Sequence, residues 1–299
     1  MRVIVLNSTN IVQDGQNNKL VYNFPNSILF KGNSIAVSSI SMYYSWFNIA
    51  DYYQNNVFNY QWLVGTSLQT FTITIPNGLY EIADLNNLLQ YNFINNGTYL
   101  IGPNNQNAYY AQFTLNTVLY SVQINTFNFP TTLPVNYSTP ANFVGFPTTS
   151  FNPIINIPPQ FNNILGFSAN YATPLNANNA YVPPANQTLI TKNGAGTISS
   201  LSTQAPNVQP NSSIFVSLSN ITNPYATPSS IIYSVVPTGN VGTLILDRPP
   251  QFMWNKMIDG TYDRIQLTFL GNNLQPILIN DPSITVMLAI KDADEAGIK

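Results

Sequence analysis

Phe71-Thr72-Ile73-Thr74-Ile75-Pro76-Asn77-Gly78-Leu79-Tyr80-Glu81-Ile82-Ala83-Asp84-Leu85-Asn86-Asn87-Leu88-Leu89-Gln90 changes its hydrophobic period midway. Phe71, Ile73 and Ile75 alternate with Thr, the period of a half-buried strand. Pro76-Asn77-Gly78 supplies turn chemistry. Beyond it, Ile82, Leu85, Leu89 and Phe93 recur at steps of three and four, with Leu88 widening the stripe, so an amphipathic helix is expected over residues 80–95. Asn96-Gly97 ends it. Glu81 and Asp84 fall in its first turn, where they suit the helix dipole and need no catalytic role.

Working outward, the period of two dominates. Leu20, Tyr22 and Phe24 share one face of a strand; residues 35–49 are too β-branched and aromatic for a helix, and 57–64 follow. After the helix, residues 109–115 and 118–129 read as a hairpin. The segment 130–210 is rich in Pro, Asn, Thr and Ser around an apolar island at Phe161–Phe167, too long for plain loop inside a compact domain, so an elaborated insertion is expected. Strands return at 213–220, 229–236, 262–270 and 284–290. Four strands before Pro76 and four from Ser213 onward make the size of one double-sheet sandwich. The expectation is an all-β chain: an antiparallel eight-stranded jelly-roll sandwich with a large inserted subdomain containing one helix. Its halves are residues 1–75 and 210–299, and the insertion is 76–209.

Charge sets the functional class. Of 299 residues only 7% are charged, where roughly a quarter is usual. Between Asp84 and Asp247 the only charged residue is Lys192, and twelve of the twenty charges lie from Asp247 onward. Amides and hydroxyls must therefore keep the surface wet, and such a surface neither steers ions nor repels a copy of itself. With no His and no Cys, the usual general base, Cys nucleophiles, Ser-His-Asp arrangements and Cys/His metal sites are excluded. Glu81 and Glu295 are the only Glu, and Asp residues are scattered, so an Asp-based polysaccharide hydrolase is the enzyme class left standing. No catalytic, cofactor or metal residue is assigned, and no enzyme activity or cofactor is expected. A net charge of -2 offers no basic stripe for nucleic acid. No segment approaches the roughly eighteen apolar residues of a membrane span, and Met1–Asn7 is too short an apolar run for a signal peptide.

Some features admit sharper readings. Met42-Tyr43-Tyr44-Ser45-Trp46-Phe47, with Tyr52, Tyr53 and Trp62, is either a carbohydrate platform or core and interface packing, and packing is favoured because aromatics dominate both settings. Asp292-Ala293-Asp294-Glu295 lacks the spacing and turn Gly of a calcium loop and reads as a solvated tail. Asp247-Arg248 and Asp263-Arg264 are candidates for ion pairs within or between subunits. The sequons Asn96-Gly97-Thr98 and Asn220-Ile221-Thr222 read as accidents of an Asn-rich chain.

Three segments carry a resemblance. Residues 76–90 resemble a Pro-Gly-Tyr-then-helix motif of capsid proteins in virophages and Polinton-like elements. Asn163-Ile164-Leu165-Gly166-Phe167 resembles their Leu-Gly-Phe box, and residues 262–269 with 281–288 resemble their final strand pair. Their major capsid proteins carry two jelly rolls and form trimers, so this length is similar instead to the single-jelly-roll penton, the minor capsid protein. That resemblance implies a homopentamer closing the fivefold vertices of an icosahedral virion, assembled in an infected eukaryotic host cell. It also implies contact with double-jelly-roll major capsid trimers, an insertion that projects outward, and room for a host or giant-virus surface receptor as a further partner. The rival reading from another class is a glycan- or receptor-binding β-sandwich of a spike or fibre.

Overall fold

The structure, a computed structural model, describes residues 1–167, 171–172, 188–191, 197–209, 211–237 and 239–292. Lys192 and the acidic tail beyond Asp292 lie outside them. The first strands are β1 (Arg2–Leu6), β2 (Lys19–Phe30), β3 (Ser34–Tyr43), β4 (Val57–Val64) and β5 (Ser67–Thr74). Helix α1 (Ile82–Asn96) follows, then β6 (Leu100–Ile101), β7 (Asn107–Ala108), β8 (Ala111–Asn116), β9 (Ser121–Thr126) and β10 (Ile154–Ile157). Helix α2 (Pro159–Leu165) precedes β11 (Tyr171–Ala172), β12 (Thr188–Thr191) and β13 (Ile198–Leu201). The last third holds β14 (Ile214–Leu218), β15 (Ile221–Thr222), β16 (Ile231–Val235), β17 (Leu244–Asp247), β18 (Asn255–Met257), β19 (Gly260–Leu270) and β20 (Thr285–Lys291). The described residues are thus mostly β-sheet, with two α-helices where the sequence suggested one. The second, α2, is the apolar island at Phe161–Phe167; Pro159 opens its first turn and Gly166, at φ 79, ends it.

Two compact units divide the chain: Met1–Phe47 with Gln209–Lys299, and Asn48–Val208. The second junction falls beside the expected 209/210. The first lies well before Pro76, because β4 pairs with β5 and β10, which puts the 57–74 strands in the middle unit. Alternation had identified them as strands, but not their partners. Four strands of the outer unit were not foreseen: β1, a continuous apolar run without alternation, the two-residue β15, and the short β17 and β18.

In the outer unit one sheet runs β1-β20-β3-β18-β15, with β17 also pairing β3, and the other runs β16-β14-β19-β2. Their pairings are antiparallel. Inward side chains of both sheets form one buried cluster, among them Ile4, Leu6, Val37, Ile40, Val216, Leu218, Leu267, Phe269, Val286 and Leu288. The odd spacing from Val37 to Ile40 is reconciled by a bulge: Met287 opposes Ser39 and Leu288 opposes Val37, so Ser38 is extra and both apolar residues face inward. Edge strand β2 carries Pro25 beside an irregular register, a placement that blunts its free edge.

The middle unit has its own core. Sheets β11-β10-β4-β5 and β12-β13-β9-β8 and both helices contribute Phe58, Tyr60, Trp62, Phe113, Ile124, Ile155, Phe161 and the α1 stripe Ile82, Leu85, Leu89 and Phe93 to one cluster. The stripe is the one read from the sequence. Asp84 accepts a hydrogen bond from the Glu81 backbone N–H at 2.9 Å, capping α1. Gly97 closes it at φ 64, and a Cβ there would meet the Asn142 carbonyl oxygen at 2.0 Å, so glycine is required on two counts.

Candidate assembly surface

No group of three or more His, Cys, Asp or Glu residues comes together among the described residues. Several acids serve structural hydrogen bonds: Asp51 accepts from Asn77 Nδ2 at 2.8 Å, Asp259 from the Gly32 N–H at 2.8 Å, and Asp247 from the Tyr233 hydroxyl at 3.1 Å. Burial, then the Asp247 charge and that hydrogen bond, push the Tyr233 phenol above its ordinary value. Among the described residues Arg2 pairs with Asp292 and Lys19 with Asp14, and neither Asp247-Arg248 nor Asp263-Arg264 forms an ion pair within the subunit. Asp292 is thereby held below the usual carboxylate range, chiefly by its hydrogen bond from Arg2. No helix of the described residues is long and apolar enough to cross a membrane.

The aromatic cluster is dispersed by folding. Trp46 packs with Tyr44, ring centroids 4.2 Å apart, in the core of the outer unit. Trp62 is fully buried in the middle unit, 4.5 Å from the Phe129 ring. Neither indole offers a face to a sugar, so the carbohydrate platform is not formed by these two residues. Tyr52 and Tyr53 remain nearer the surface as an edge-to-face pair. The first sequon is also taken up structurally: Asn96 donates to the Tyr60 hydroxyl, and Thr98 is fully buried against it.

What the sequence did not single out is the exposed apolar surface of the first sheet. Strand periodicity turns Ile4 and Leu6 inward on β1 and leaves Val3 and Val5 outside, 49% and 43% exposed. On β17, Ile245 is buried while Leu244 and Leu246 are 52% and 58% exposed. In the sheet order β1 is one edge, and β17 with β18 flanks β3 on the other side. The link from β17 to β18 adds Phe252, Met253 and Trp254, all exposed, with the Phe252 and Trp254 rings 5.2 Å apart, and Ile258 follows. The six apolar side chains from Leu244 to Ile258 together expose roughly 500–600 Å². A standard interface buries about 800 Å² per partner. A signal was present in Leu244-Ile245-Leu246 and Phe252-Met253-Trp254, whose apolar residues are too many for so short a strand to bury.

The two edges are unlike each other. The β1 edge is a strand with free backbone groups and no Pro or Lys between Val3 and Leu6, whereas β2, an edge of the other sheet, is blunted by Pro25. The β17 side is a ridge of large side chains. Such a pair can join copies head to tail, each presenting one edge to the other edge of the next.

No protein-family model matches the chain, and no curated protein matches it. Among solved structures, a crystal structure of selenomethionine-labelled mavirus penton protein aligns with 97% of this chain and 98% of its own, at 11% identity and a TM-score of 0.37. A likeness of that size does not establish a shared fold.

Proposed function

We propose that this chain is a non-catalytic structural protein of a virus particle, a single jelly-roll subunit that closes into a ring of five at the fivefold vertices. The observation that carries the reading is the presence of two different apolar edges on opposite sides of one sheet, the requirement for a heterologous ring. The occupant of each edge is a second copy of the chain. A charge-poor surface rich in exposed aliphatic and aromatic side chains supports such a contact, since interface cores are depleted of charge.

Strand order supports the jelly roll. Take β17 and β18 as one interrupted strand and set the two-residue β15 aside. Eight strands then remain in the outer unit, numbered one to eight along the chain; one sheet runs first-eighth-third-sixth and the other second-seventh-fourth-fifth. That is the order of two interleaved Greek keys, with the middle unit inserted between the third and fourth strands. The capsid class rests on the sequence resemblance at residues 76–90, 163–167, 262–269 and 281–288, and major capsid protein is the expected neighbour in the shell.

Light scattering and electron microscopy of the purified chain, alone and mixed with the major capsid protein, test this. Fivefold rings are expected. A chain that stays monomeric at high concentration under both conditions overturns the reading.

A further inference from the structure

The hairpin of β8 and β9 ends in a tip unlike the rest of the middle unit. Asn116 pairs with Ser121, and the four residues between are Thr117, Val118, Leu119 and Tyr120. Val118 is 90% exposed, Leu119 59% and Tyr120 60%. Tyr120 sits at φ 48, the left-handed region that glycine or asparagine normally fills in such a loop. A bulky aromatic there is conformationally strained, yet most of its surface stays in solvent. The residue in the middle of the tip is already satisfied: the Leu119 N–H donates to Asn116 Oδ1 at 3.1 Å, and its carbonyl accepts from Ser121 Oγ at 3.2 Å. Neither strand of the hairpin carries a charge.

We propose that Val118, Leu119 and Tyr120 dip into the interfacial region of a lipid bilayer. Three features select lipid over a protein pocket. The tip is convex and offers only about 300–400 Å², well under the ~800 Å² per partner of a standard protein interface, whereas insertion into lipid scales with apolar area and asks for no matching shape. Leu119 needs no hydrogen bonds from its surroundings, the condition for leaving water without cost. Val and Leu ahead of a Tyr, with an uncharged rim of Asn116, Thr117 and Ser121, place apolar groups beneath and a hydroxyl at headgroup level, and no ion has to be desolvated. With no cation on the hairpin, the attraction does not depend on headgroup charge. The proposal stands apart from ring assembly, although several tips on one ring would bind with avidity.

Flotation of the full chain with vesicles of pure phosphatidylcholine is the test. The wild type is expected to float with the vesicles in both 0.1 M and 1 M salt, and V118D/L119D is expected to lose at least tenfold in bound fraction with an unchanged melting temperature. Tyr120→Gly separates the roles of the residue, because relief of the left-handed strain raises the melting temperature while loss of the ring weakens flotation. A wild type that stays with the unbound fraction, a double variant that floats as well as the wild type, or flotation that appears only with anionic lipid and fails in high salt would each overturn the proposal.

Discussion

Replacing Leu244 and Leu246 together by Asp should abolish ring formation and leave the subunit intact. Both side chains lie on the outer face of β17, where register sets Leu244 opposite Tyr43 and Leu246 opposite Ser41, and both are rather more than half exposed. Burying a whole leucine side chain is worth about 1.5–3 kcal/mol, so completing the burial of this pair at a subunit contact contributes roughly 2–3 kcal/mol, or some 30- to 150-fold in the association constant of each contact. L244A/L246A removes most of that gain. The Asp variant adds the cost of desolvating two carboxylates without partners, several kcal/mol more, which takes assembly out of the micromolar range altogether. Sedimentation velocity over a concentration series reads the shift directly. The Ala variant should need roughly 10- to 100-fold more protein to assemble, and the Asp variant should remain a monomer, each melting within about 1 °C of the wild type at concentrations where the wild type is also monomeric, because neither leucine packs in the monomer core. Rings that persist in the Asp variant at wild-type concentration would refute the assignment of the β17 edge, even if the chain is a capsid subunit. Monomeric wild type would refute the assembly reading itself.

Two further outcomes concern the middle unit. Gly97→Ala should destabilise it by about 3 kcal/mol or more, since a left-handed alanine costs 1–2 kcal/mol and its Cβ would strike the Asn142 carbonyl, which cannot retreat while Asn142 Nδ2 is bonded to the Ile94 and Asn95 carbonyls. Differential scanning calorimetry should show the loss in one transition and not in both. Burial pushes the Tyr60 phenol up from 10.0 to about 12, outweighing the hydrogen bonds to Thr98 and Asn96 that pull it down. A folded value above the unfolded one means stability fully present below pH 10 and lost as pH rises towards 12, by about 2–3 kcal/mol from this residue. Urea midpoints measured across that window should fall in the wild type and fall less in Tyr60→Phe; parallel slopes would contradict the assignment.

The sequence by itself determined what depends on local periodicity and on composition. The α1 stripe of Ile82, Leu85, Leu89 and Phe93 and the alternation of β4, β5 and β19 were legible because each residue's face follows from its position in its own element. The absence of His and Cys likewise bounded the chemistry before any fold was known. Tertiary structure alone decided which strand pairs with which. Val57–Val64 reads the same whether it joins β3 or β10, and only the distant partner moved it into the middle unit. Burial of Trp46 and Trp62, and exposure of Val3, Val5, Leu244 and Leu246, were decided in the same way. An apolar side chain in a strand states that one face is greasy; whether the fold covers that face or leaves it for another molecule depends on contacts with elements far away in the sequence, which no local pattern encodes.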